Sequence, residues 1–144
     1  MRNTTNKYFD VKVKMQKTME DGTQKKVSEQ YVVEAATFGE AERRITENLK
    51  PYIEGEFSVT DIKIAGYAQI VNGDDNADKY FKAKVTFVVM DETTGKEKKT
   101  SELYLVQSET LESAETDVKS YLNDNNITIS SISETAILDV FSLD

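Results

Sequence analysis

The most chemically suggestive pattern in this chain is tyrosine spaced with lysine along a strand. Tyr8 leads Lys12 and Lys14 at even spacing in "KYFDVKVKM", and Tyr80 leads Lys82 and Lys84 in "KYFKAKVTF". Side chains alternate across a strand, so these residues share the face opposite Phe9, Val11 and Val13 in the first stretch and opposite Phe81, Ala83 and Val85 in the second. Rings that stack on bases, set among ammonium groups that hold phosphates, make such a face a candidate for binding single-stranded nucleic acid. Lys25-Lys26 and Lys98-Lys99 follow two turns and add a pair of candidate basic tips. Each feature has a plainer reading. Tyrosine packs against neighbouring elements more often than it stacks on a base, and lysine at strand edges also blocks edge-to-edge aggregation.

What the chain lacks removes more chemistry than its motifs add. It has no Cys and no His, which excludes thiolate or imidazole zinc sites, His-activated nucleophiles, haem ligation by these residues and redox dithiols. No side chain has an unperturbed pKa near neutrality, so proton transfer would fall to a shifted carboxylate, Lys or Tyr. Glu40 and Glu42, Glu112, Glu115 and Asp117, and Asp74-Asp75 are the carboxylates a metal would need. Helix N-terminal placement and turn chemistry already account for them. The six glycines are scattered singly and form neither a phosphate loop nor a dinucleotide fingerprint. The expectation is a protein that is not an enzyme, with no cofactor and no metal.

A formal net charge of −8 weighs against broad nonspecific nucleic-acid binding, because lysine and arginine supply most of that affinity. The charge is uneven. The segments Lys7 to Glu34 and Lys79 to Val106 lean basic, whereas from Gln107 onward Lys119 is the one basic residue among many acids. No run approaches the ~18 apolar residues of a membrane helix. The opening "MRNTTNKYFD" has no apolar core of a signal peptide. A cytoplasmic protein without membrane partners is expected.

The elements that must position these lysines are written twice. Phe9, Val11, Val13 and Met15 alternate with polar residues, as do Phe81, Ala83, Val85 and Phe87. Asp21-Gly22 and Gly95 supply turns. Val27, Glu29, Tyr31 and Val33 match Thr100, Glu102, Tyr104 and Val106 on the return strands. Thr37, with Glu40 three positions on, signals a capped helix with Phe38, Ala41, Ile45 and Leu49 on one face, ended by Pro51. Thr110 caps a counterpart bearing Leu111, Ala114, Val118 and Leu122. Each half closes with an apolar segment that is one long strand or two short ones, broken near Ala65-Gly66 and Glu134-Thr135. The expected class is α+β: a tandem duplication of a β-β-α-β unit, with antiparallel sheets and two covering helices related by a pseudo-two-fold. The first repeat is placed at 1–72, a linker at 73–78 and the second repeat at 79–144, together one compact domain of 144 residues.

The stretches "KTMEDGTQKKVSEQYVVEA", "GEFSVTDIKIAGY", "DKYFKAKVTFVVMDETTGKEKKT" and "SISETAILDVF" together cover nearly the whole chain and resemble an uncharacterised domain family of gut Bacteroidales and their tailed phages. The resemblance implies a phage or mobile-element setting, hence the host cytoplasm, and brings no catalytic residues. The leading expectation is a small non-enzymatic binding protein that takes single-stranded nucleic acid on a Lys/Tyr sheet face. The alternative is a protein-interaction module, either a phage structural accessory or an inhibitor of a host defence protein, and a third option is nucleotide sequestration. Oligomeric state is left open.

Overall fold

A computed structural model of the protein describes residues 6–143. Part of the opening stretch judged above for targeting therefore lies outside the described residues. The elements run β1 (Lys7–Thr18), β2 (Gln24–Ala35), α1 (Phe38–Leu49), β3 (Phe57–Ala65), β4 (Tyr67–Asn72), β5 (Lys79–Met90), β6 (Glu97–Ser108), α2 (Leu111–Leu122), β7 (Ile127–Glu134) and β8 (Ile137–Phe141). The fold is α+β. Both closing segments are broken in two, so the order β-β-α-β-β occurs twice.

Local chemistry explains these elements. Gly22 and Gly95 take φ of 87° and 69° in the hairpin turns, a backbone region that favours glycine. The Asp21 carboxylate accepts from the Thr23 backbone and hydroxyl at 3.0 and 2.6 Å, and these bonds hold its pKa below the usual value. At α1 the Thr37 hydroxyl accepts from the Glu40 backbone, while the Glu40 carboxylate reaches past the cap to the Ala36 backbone. At α2 the box closes fully between Thr110 and Ser113. Asn123 then ends α2 in the left-handed region, at φ 47°.

The strands form two four-stranded sheets, ordered β3-β1-β2-β8 and β4-β6-β5-β7. Two compact units contain them. The first falls within Met1–Ala65 and Ile137–Asp144, and the second is Gly66–Ala136. The repeats read from the sequence therefore differ from the folded units, because the last short strand of each repeat joins the sheet built by the other repeat. β4 pairs with β6, and β8 with β2. Both pairings are parallel, so the antiparallel sheets expected from the sequence each carry one parallel edge. Residues 73–78, expected as a linker between repeats, form a folded loop of the second unit. The backbone N–H groups of Gly73 and Asp74 donate to the Gln107 carbonyl, and the Gln107 side-chain amide donates to the Ala77 carbonyl at 2.9 Å.

Each unit has its own core under its own helix. In the first, Phe9, Val11, Val13, Tyr31, Val33 and Ile45 are central. In the second they are Phe81, Ala83, Val85, Tyr104, Val106 and Val118. Phe38 belongs to the predicted helix face yet stays half-exposed at the first turn, its ring meeting Phe9 edge-on at 5.1 Å.

Candidate binding surface

The two aromatic residues that would stack bases are unavailable. Tyr8 and Tyr80 are each 5% exposed, so neither ring presents a face to a ligand, and the stacking mechanism expected from the sequence is corrected on this point. Alternation placed both rings on the face away from the helix, as expected, but that face is itself buried where they sit. Val32 and Ala65 are sealed at the same end in unit 1, and Leu105 and Tyr67 in unit 2.

Within each unit the candidate lysines divide between the two faces of the sheet. Lys12 and Lys14 are exposed on β1, and Lys26 lies on the same face because it pairs with Gln16. Lys25 pairs with Lys17 and so points to the helix side. In unit 2, Lys82, Lys84 and Lys99 share the face away from α2, Lys82 lying 5.9 Å from the centre of the buried Tyr67 ring. Lys98 pairs with Val89 on the opposite face. Neighbours on a strand point to opposite faces, so each expected basic tip is divided.

Tyr31 and Tyr104 lie at matching points of the return strands β2 and β6. Each donates its hydroxyl to a glutamate two residues earlier on the same strand, Glu29 at 3.2 Å and Glu102 at 2.6 Å. Burial, joined by the neighbouring carboxylate, pushes the Tyr31 phenol up to about 12, and burial with the Glu102 hydrogen bond raises Tyr104 as well. These shifts lead away from neutrality, where proton transfer would be useful. Ser108 is 1% exposed and bonds to Asp117 and Ser113 at 2.9 and 2.6 Å, which makes it a sealed structural pin under α2. Among the described residues, no three acidic side chains converge as a metal cage would require.

Sequence reasoning missed the edge of β3, which pairs with no second strand among the described residues. This strand lies at the end of its sheet and has β1 as its neighbour on one side. Open grooves flank its beginning on both faces. Lys14, Gln16, Lys26 and Ser58 line one groove of about 690 Å³ on the face away from α1. Glu42, Thr46, Lys50, Ile53 and Val59 line the other, of about 550 Å³, on the helix side. Gly55, Glu56, Phe57 and Ser58 border both. Further along β3, Asp61 stands opposite Lys12 and Lys63 opposite Asp10, and a bulge at Thr60 separates the two stretches. The signal was present in "FSVTDIKIA", where an acid and a lysine sit two apart on one strand face and the apolar spacing slips between Val59 and Ile62.

No helix among the described residues is long and apolar enough to cross a membrane. The chain belongs to the family described as Domain of unknown function (DUF4494), whose family model matches residues 7–143. No curated protein and no solved structure matches the chain.

Proposed function

We propose that this is a non-enzymatic binding protein that takes an extended polypeptide strand onto the free edge of β3. The observation that carries this reading is the edge with a groove on each face. A strand added there completes main-chain hydrogen bonds, and its alternate side chains drop into pockets on opposite faces, which is how edge-strand recognition couples affinity to specificity. The chain has neither Cys nor His, and burial pushes the Tyr31 and Tyr104 phenols up, away from neutral pH. Both features support a binding role over catalysis. The setting we propose is a phage or mobile element acting in the host cytoplasm, which follows from the resemblance of the sequence; the neighbouring genes test it.

The absence of cysteine gives a clean experiment. A photo-crosslinker attached at Ser58→Cys reports on β3, and one at Ser130→Cys on β7. Ser58 is expected to capture a defined protein that survives nuclease treatment, with Ser130 capturing none of it. Equal capture from both positions, or capture abolished by nuclease, overturns the reading.

A second reading, single-stranded nucleic acid, keeps one observation in its favour, the exposed row of Lys12, Lys14 and Lys26. With Tyr8 and Tyr80 buried, that row rests on charge. Three phosphate contacts give a slope of log affinity against log salt of only about −2, on a protein of net charge −8. Labelled oligonucleotides titrated at low and high salt decide it, and no binding at either removes it.

A further inference from the structure

We infer that the strand received by β3 is β3 of a second copy of this chain, paired antiparallel about Ile62. The inference rests on β3 being the docking edge, adds the identity of the partner, and uses the stretch of β3 beyond the Thr60 bulge instead of the grooves at residues 55–58. Its basis is self-complementary charge. Asp61 and Lys63 are both exposed and lie on the same face of β3, opposite Lys12 and Asp10 of β1. When two copies of β3 pair antiparallel with Ile62 opposite Ile62, Asp61 of each copy meets Lys63 of the other. The alternation of sign already running from β1 to β3 then continues across the new seam without an interruption.

A two-fold interface must use one surface patch on both partners. A strand whose acid and base flank a central apolar residue meets that demand by itself. Opposite charges placed directly across a sheet favour a register, and like charges penalise it. The same pairing sets the half-exposed Ile64 opposite Thr60 of the partner. The Thr60 bulge confines the regular ladder to the few residues around Ile62, so the association is concentration-dependent and not permanent.

Unit 2 provides the contrast. Its corresponding edge, β7, is also bulged, and Ser131 and Ser133 stand opposite Lys84 and Lys82. An antiparallel pair of β7 strands in the same register places serine against serine, with no charge code. This difference selects β3 as the self-pairing edge.

Sedimentation velocity of the full chain over a concentration series tests the inference with two charge variants. Asp61→Lys makes the edge all basic and Lys63→Asp makes it all acidic, so each alone faces like charge across the seam. Each is expected to weaken self-association about tenfold or more relative to the unaltered chain. An equimolar mixture of the two restores dimer, because every new pair is again opposite in sign. The double variant Asp61→Ser, Lys63→Ser copies the residues of β7, serves if a charge variant folds poorly, and is expected to weaken dimer as well. An unaltered chain that stays monomeric at its highest soluble concentration overturns the inference, as does a dimer indifferent to all these changes. Failure here is separable from failure of the edge reading. If the unaltered chain is monomeric while the crosslinker at Ser58 captures a different protein, β3 remains the docking strand and only the self-pairing falls.

Discussion

On the face away from its helix, unit 1 sets Asp10 and Lys12 of β1 opposite Lys63 and Asp61 of β3, whereas unit 2 sets Lys82 and Lys84 of β5 opposite Ser133 and Ser131 of β7. The frames beneath are alike. Each edge strand has a bulge at the matching point, and each sheet receives a short parallel strand in the same stepped register, Ile137 against Gln30 and Tyr67 against Leu103. The helix side differs as well. Glu115 is paired with Lys119 at 2.9 Å on α2, while on α1 Glu42 and Thr46 line a groove. Matching registers with different charges mean that the frame tolerates either pattern, so the pattern on β3 is not required for folding. That freedom makes the β3 edge the natural place to look for binding.

The comparison is tested most severely where the units are supposed to agree. Phe9 and Phe81 are each 1% exposed in their cores, so Phe9→Ala and Phe81→Ala should each cost about 3–5 kcal/mol. Chemical denaturation measures both, and a cost in one unit far below that in the other breaks the claim that the cores are equivalent. A smaller effect sharpens the difference outside the cores. A side chain at Gly73 would collide with the Asp117 carboxylate, so Gly73→Ala should destabilise by about 1–3 kcal/mol. Gly66→Ala, where no atom lies within 4 Å of the added carbon, should stay within about 0.5 kcal/mol. Thermal unfolding of the pair decides whether the 73–78 loop is packed as described.

The smallest effect concerns alkaline pH. The Tyr31 phenol is raised from 10.0 to about 12 by burial and by the Glu29 carboxylate, so the folded chain favours the neutral form more than the unfolded chain does. Its contribution to stability is complete below pH 10 and is lost as pH rises toward 12. Tyr31→Phe should flatten the fall in stability across this window. A fall that is equally steep in Tyr31→Phe contradicts the assignment to unit 1 and directs attention to Tyr104.

The sequence revealed patterns but not partners. Period-two alternation placed Phe9, Val11 and Val13 on a buried face, and Thr37 and Thr110 started both helices, because these are local preferences written into neighbouring residues. The same alternation told which face Tyr8 and Tyr80 occupy and nothing about whether that face is covered. The destination of β4 and β8 was equally hidden, since an apolar strand of five or six residues fits either sheet and its pairing is chosen by tertiary structure. The bulge was the missed opportunity. Val59 to Ile62 and Ile129 to Ile132 both break a period of two by one residue, and that break marks the point on each edge strand where the ladder is interrupted.

The most direct test of β3 as the self-pairing edge is backbone amide hydrogen exchange, read separately over Phe57–Ala65 and Ile127–Glu134 as protein concentration is raised. Protection that grows in the β3 segment while the β7 segment holds constant is the predicted result. Growth in β7 instead, or in neither segment over a range where the chain associates, contradicts it.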